Sequence, residues 1–252
     1  MHSKTLLGWI PILAFALACS KAKVDPTGDD LQIRFDHGTT YLEKKKYYRA
    51  QQEFEHVLLM GRHTELGDDA QFYLAEAYFL NGEYLLAINE YDRLVRQMTY
   101  SPFVEKSRFR ICDSYAKKSP RFYHDQEYTE KAIQKLQEFV EDFPNSEYYV
   151  DVVKTIHSLR SKLARKQYES SILYIKMEAY DSAVNYLTDL LATYYDTPYA
   201  DKARLKIVEA YLKAEKFEEA ENFFAENESR FDNKNFLEEA RALISEEKGM
   251  RD

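Results

Sequence analysis

Apolar positions along this chain recur at helical rather than strand spacing, and they recur in blocks. From residue 31 onward one order of residues returns: a Tyr, an aromatic six positions on, an Ala three further, and a bulky side chain four beyond. The members are Tyr41, Tyr47, Ala50 and Phe54; Tyr78, Tyr84, Ala87 and Tyr91; Tyr174, Tyr180, Ala183 and Leu187; and Tyr211, Phe217, Ala220 and Phe224. Between the second and third of these lies a block with Tyr115, Ala132 and Leu136, whose halves are separated by eight extra residues within 117–129. Each block reads as a helical hairpin. Ala lets two antiparallel helices approach, the bulky residue one turn later fills the gap beside it, and the Tyr on the preceding helix covers the seam.

A hairpin of this kind cannot bury its own face, so hairpins stack in series and share a core. The expected fold is therefore all-α: a superhelical solenoid of about five helical hairpins with a C-terminal capping helix at 234–249, carried by Phe236, Leu237, Ala240, Leu243 and Ile244. Boundary signals agree. Ser101-Pro102, Asn145-Ser146 and Thr197-Pro198 each precede an apolar-periodic run, and Asn81-Gly82 breaks the second block between its helices. Small residues stand three before the Tyr at Gly38, Ala75, Cys112 and Ser171; the fifth block has Val208 there and should pack less closely. These marks resemble the tetratricopeptide repeat. Successive Ala marks lie 37, 45, 51 and 37 residues apart, longer than the ~34 of a regular array. The largest interval predicts an extended first helix in the fourth block, spanning 146–177.

The first eighteen residues predict a targeting segment rather than part of the fold. Lys4 is followed by an apolar run from Leu6 to Ala18, too short for an ordinary span, and then by Cys19. Small residues just before a Cys resemble a bacterial lipobox, in which Cys19 becomes the acylated N-terminus; an ordinary secretory cleavage nearby or an unprocessed anchor are the alternatives. Residues 19–30 then form a polar tether, 31–142 the N-terminal repeats and 143–252 the C-terminal repeats with the cap.

Composition narrows the function. With 35 Lys+Arg against 43 Asp+Glu the net charge is −8, which argues against a nucleic-acid binder. Seven Gly and six Pro disfavour Gly-rich phosphate loops and all-β designs, and two Cys exclude a disulfide framework. The six His show no zinc-protease spacing, and no nucleophile or phosphate-loop motif occurs, so neither enzyme activity, metal nor cofactor is expected. Cys112 sits at a small-residue packing position and reads as structural.

The irregularities carry a second resemblance. The third-block insertion, Phe143-Pro144-Asn145-Ser146, the long helix with Leu159, Leu163, Glu169 and Tyr174, and Tyr194 with Asp196-Thr197 are similar to the BamD family, lipoprotein subunits of the outer-membrane β-barrel assembly machinery. The resemblance implies a non-enzymatic scaffold, lipid-anchored at the periplasmic face of the outer membrane. Its N-terminal repeats would receive unfolded outer-membrane proteins, and its C-terminal repeats would dock a BamA-like barrel protein, with other assembly lipoproteins as further partners. Relatives often carry a basic residue where this chain has Tyr186, on the partner-facing helix, so Tyr186 and Asp189 are the docking candidates. Another lipid-anchored scaffold of the cell envelope, pilotin-like or division-associated, is the alternative.

The residues alone say less about binding. Phe35, Phe72, Phe109, Tyr168 and Leu205 stand six before each Tyr; Leu42, Phe79, Ala116, Ile175 and Leu212 stand one after. An apolar peptide groove is one reading, and inter-repeat core is the one favoured by recurrence in every block. Phe35, Leu42, Phe72 and Phe79 remain groove candidates because the resemblance places substrate at that end. Lys44-Lys45-Lys46 with Arg49 reads as a solvated helix end, or as a contact for anionic groups. Arg121, Phe122, Tyr123 and His124 form an aromatic-basic loop that is either functional or simply tolerated.

Overall fold

The computed structural model describes residues 28–251, and all its regular elements are helical. Five antiparallel hairpins follow in order: α1 (Gly28–Glu43) with α2 (Tyr47–Gly61), α3 (Gly67–Leu80) with α4 (Tyr84–Gln97), α5 (Val104–Lys118) with α6 (Glu127–Asp142), α7 (Tyr149–Lys176) with α8 (Tyr180–Thr193), and α9 (Tyr199–Lys213) with α10 (Phe217–Asn227). A short 3-10 turn, Glu228–Arg230, leads to α11 (Lys234–Arg251). The first helix starts at Gly28, three residues before the expected boundary, and Asp30 in its first turn suits the positive end of a helix dipole. The expected signal segment, Cys19 and most of the tether lie outside the described residues.

The repeating Ala residues make the seams. Ala50, Ala87, Ala132, Ala183 and Ala220 have no exposed surface, and Phe54, Tyr91, Leu136 and Leu187 beside them are buried with them. Gly38, Ala75, Cys112 and Ser171 are buried on the facing helices. Val208 is fully buried as well, because α11 supplies Ala240 and Ile244 to the same cluster as Ala220 and Phe224. Asp201 ties this cap down by accepting hydrogen bonds from the backbone N–H of Asp232 (3.0 Å) and Asn233 (2.7 Å).

The Tyr of each block also has a backbone role. Its carbonyl accepts a hydrogen bond from the N–H five residues later, at Lys46 (2.8 Å), Glu83, Ala179 and Lys216 (each 2.9 Å). That bond closes the first helix through one residue in the left-handed conformation: Lys45 (φ 55°), Gly82 (φ 79°), Glu178 (φ 59°) and Glu215 (φ 58°). The second helix begins two residues on, which accounts for the six-residue Tyr-to-aromatic spacing. In the third hairpin residues 119–126 replace this turn.

Ser101, Ser146 and Thr197 lie just upstream of the helices they announce. The Ser101 hydroxyl accepts from the Phe103 N–H (3.2 Å) and that of Ser146 from the Tyr148 N–H (3.1 Å), forming the turn that feeds the helix. The Thr197 hydroxyl instead donates back to the Tyr194 carbonyl (2.8 Å). The long helix α7 has 28 residues. Its first half adds Val152, Leu159 and Leu163 to the core of the third hairpin, beside Cys112, Ile133, Leu136 and Phe139, and its second half packs on α8.

Candidate functional site

The row of residues six before each Tyr acts as glue between repeats. Phe35 meets Tyr73 edge-on at 5.6 Å between ring centroids; Phe72 stacks on Phe103 at 4.5 Å, and Phe109 on Tyr148 at 4.3 Å. Tyr168 meets Tyr199 at 5.7 Å. The first helix of each of the first four repeats thus presents an aromatic to the repeat that follows, and Leu205 in the fifth packs in the cluster shared with the cap.

This placement corrects two of the groove candidates. Phe72 is 1% exposed and Phe79 is 9% exposed, with the Arg110 guanidinium 4.7 Å above the Phe79 ring. Both are core, because the next repeat covers them. Phe35 and Leu42 are half-buried against the first core cluster, together with Tyr73. Tyr73 was not singled out by the periodicity; it follows Phe72 directly, and its ring joins Phe35, Phe54, Phe72 and Phe103 in one aromatic array.

Below that array lies a charged network that local spacing did not indicate. Arg110 on α5 donates to both carboxylate oxygens of Glu76 on α3 (2.7 and 3.0 Å), and the Tyr91 hydroxyl donates to Glu76 Oε1 (2.5 Å). Burial would lower Arg110, but the charge and hydrogen bonds of Glu76 outweigh it and hold the guanidinium above its ordinary pKa. Burial, then the Glu76 charge, pushes the Tyr91 phenol up, so it stays a donor. The network joins three helices across two repeats.

A second region lies along α7, where the insertion of the third hairpin is clasped. Gln126 is buried; its amide donates to the carbonyls of Arg121 and His124 (2.9 Å each), and its carbonyl accepts from Thr129 (2.8 Å). From α7, Lys162 donates to the Ser119 hydroxyl (2.7 Å), Lys166 to the His124 carbonyl (2.9 Å), and Arg165 lies 4.0 Å over the Phe122 ring. Burial lowers the pKa of Lys162. The loop is therefore docked on α7, with Tyr123 and His124 outward.

Between this loop and α8 is an open cleft of about 650 Å³, floored by Lys166, Gln167 and Ser170 of α7 and walled by Glu130, Tyr186 and Tyr194. Tyr186 is 40% exposed; its ring lies 4.9 Å from that of Tyr174, and its carbonyl accepts from Gln167 Nε2 (2.9 Å). Asp189 is exposed further along the same helix. The C-terminal end of α8 is pinned by Arg160, which donates to both Asp196 oxygens (2.6 and 3.0 Å) and to the Thr193 carbonyl (2.7 Å). Those hydrogen bonds hold the Asp196 carboxyl below its ordinary range.

Lys44, Lys45, Lys46 and Arg49 are exposed around the first hairpin turn, with Arg49 5.8 Å from the Tyr41 ring. Cys112 is buried and donates to the Lys135 carbonyl (3.2 Å); burial pushes its thiol up to about 12. Among the described residues no group of His, Cys, Asp and Glu could hold a metal ion, and no helix is long and apolar enough to cross a membrane.

Stacked hairpins with Ala seams, aromatic inter-repeat contacts and a terminal cap define a solenoid of the tetratricopeptide type. The TPR2AB domain of yeast Sti1, solved in complex with pHSP90, is similar over 84% of this chain and 81% of its own, at 16% identity and a TM-score of 0.48. The family model described as YfiO, outer membrane lipoprotein, matches residues 29–225, and the chain belongs to that family. Among curated relatives, the outer membrane protein assembly factor BamD of Rickettsia prowazekii is 23% identical over 88% of this chain and 90% of its own length. That of Caulobacter vibrioides is 23% identical over 75% of this chain and 62% of its own.

Proposed function

We propose that this protein is a lipid-anchored, non-enzymatic scaffold for assembly of β-barrel proteins into the outer membrane. The observation that carries this reading is the family match over 29–225, which runs with the five hairpins from α1 almost to the end of α10. The relatives' names supply the process; the solenoid supplies a surface suited to gripping polypeptide without bond-making chemistry. Cys19 is the proposed acylation site, and the periplasmic face of the outer membrane the proposed location.

In this reading the two halves divide the work. The N-terminal repeats receive unfolded barrel proteins through the accessible edge of the aromatic array, Phe35, Leu42 and Tyr73, rather than through Phe72 and Phe79. The C-terminal repeats dock a BamA-like barrel protein through α8, with Tyr186 and Asp189 as contacts, and accessory lipoproteins bind elsewhere. Tyr186 offers a ring at the rim of a cleft, where an aromatic can bury area at low entropy cost.

The test is purification of the tagged protein from detergent-solubilised outer membrane. A BamA-like barrel protein should co-purify, and Tyr186→Ala with Asp189→Ala should lower its yield without lowering the melting temperature. Depletion should reduce many outer-membrane barrels together. Recovery of other envelope partners with no barrel protein would refute the proposal.

A further inference from the structure

The tether enters the solenoid at a definite end. In the first hairpin Leu31 packs at Gly61 and Phe54 at Gly38, so the start of α1 lies level with the end of α2. Arg62, just past α2, donates to Gln97 at the end of α4 (3.1 Å). The starts of α1 and α3 and the ends of α2 and α4 therefore share one rim, and the hairpin turns at Lys45 and Gly82 lie at the other.

That tether-side rim exposes large apolar side chains, as the turn-side rim does at Tyr48, Leu80, Leu85 and Leu86, and the length of the tether decides between the two. Leu59 is 80% exposed and Met60 43%, both in the last turn of α2; Ile33, level with Leu59 on α1, is 52% exposed. Tyr100, in the turn after α4, is fully exposed. The backbone between Cys19 and Gly28 covers nine residue steps, at most about 32 Å when fully extended. The 16 residues of α1 are about 24 Å long. Reaching the far rim would consume about three-quarters of the extended tether, whereas the near rim needs none of it.

We propose that Ile33, Leu59, Met60 and Tyr100 form a membrane-contacting rim that seats the N-terminal repeats on the bilayer interface. The proposal rests on the reading of Cys19 as the lipid anchor. Exposed aliphatic residues gain by entering the headgroup–acyl boundary, and Tyr favours that depth. Asp68 and Asp69 open α3 at the same end, where Arg62 and Arg96 close α2 and α4, so the rim carries both signs and suits a zwitterionic bilayer. Seating this rim would hold the repeats at a set orientation, with the aromatic array facing the aqueous space beside the membrane.

The chain's single Trp, Trp9, precedes Cys19 and leaves with the cleaved segment, so an introduced Trp reports alone. Leu59→Trp and Leu85→Trp, the latter exposed at the start of α4 near the opposite rim, would be made in the full lipidated protein and reconstituted into phosphatidylcholine vesicles with brominated acyl chains. Leu59→Trp should lose at least half its emission to the brominated lipid and be shielded from acrylamide; Leu85→Trp should show the reverse. Equal lipid quenching of the two, or a Leu59→Trp signal open to acrylamide and untouched by bromine, would overturn the rim. A Leu59→Trp signal shielded from both quenchers would also overturn it, since another polypeptide would then cover the patch. Intact mass separates the two readings. An acylated chain with an unquenched rim refutes this proposal alone, and a chain without acyl addition at Cys19 refutes the anchor and the rim with it.

Discussion

Replacing Gly38 by Ala tests the packing of the first hairpin where two effects oppose. Gly38 lies inside α1, where Ala is better than Gly by about 1 kcal/mol in helix propensity. A Cβ there would stand 2.6 Å from Phe54 Cε1, 2.8 Å from Cζ and 3.0 Å from Cδ1. The ring has little room to retreat. Phe54 is fully buried, with Phe35 at 5.6 Å and Tyr73 at 5.9 Å between centroids. Overpacking of this kind costs roughly 1–3 kcal/mol, and contact with three ring atoms places it toward the upper end. The net expectation for Gly38→Ala is a loss of about 1–2 kcal/mol. In a solenoid this loss falls first on the terminal repeat, so hydrogen exchange of α1 and α2 amides should accelerate more than that of α8 and α9. The Phe54→Leu background removes the obstructing ring, and there the same change should become neutral or stabilising, a coupling of about 2 kcal/mol. A Gly38→Ala protein with slower exchange in α1, or a double-mutant cycle with no coupling, would refute the argument.

Three further outcomes are expected. Glu178→Gly and Glu215→Gly should each stabilise, since both residues hold positive φ in their turns, and relief of that conformation is worth about 0.5–1 kcal/mol; a melting temperature that falls would contradict the turn geometry. Asp196 has a folded pKa held below its usual 3.8 by the Arg160 hydrogen bonds, so the staple is complete above the unfolded value and is lost as pH falls through the folded one; Arg160→Met should therefore cost more stability at pH 7 than at pH 3 in paired melts. Cys112 should stay unreactive toward a thiol reagent at pH 8 in the native protein and react on unfolding, because burial holds its thiol protonated up to about 12; fast native labelling would show that the third core opens.

Which of these features the linear order of residues reveals, and which it hides, follows from the range of the interaction. The Ala seams, the Tyr-to-aromatic spacing, the insertion within 117–129, the long helix and the terminal cap are written in intervals of three, four and six residues, and helical geometry alone converts those intervals into faces. The hairpin, the repeat and the all-α class were therefore set by sequence, and so was the structural character of Cys112. Exposure was a different matter. Phe35 and Phe72 hold equivalent places in their blocks and each meets an aromatic of the next repeat, yet Phe72, stacked on Phe103, is buried while Phe35, edge-on to Tyr73, stays half-buried. Glu76 and Arg110, 34 residues apart, meet only because the second and third hairpins stack, and Arg160 on α7 reaches Asp196, 36 residues on, because the turn after α8 returns to α7. Periodicity identifies the inward face of a helix, but stacking decides which neighbour covers it; only the tertiary structure could separate core from accessible surface, and place the exposed rim of Leu59 and Tyr100 at the end where the chain enters.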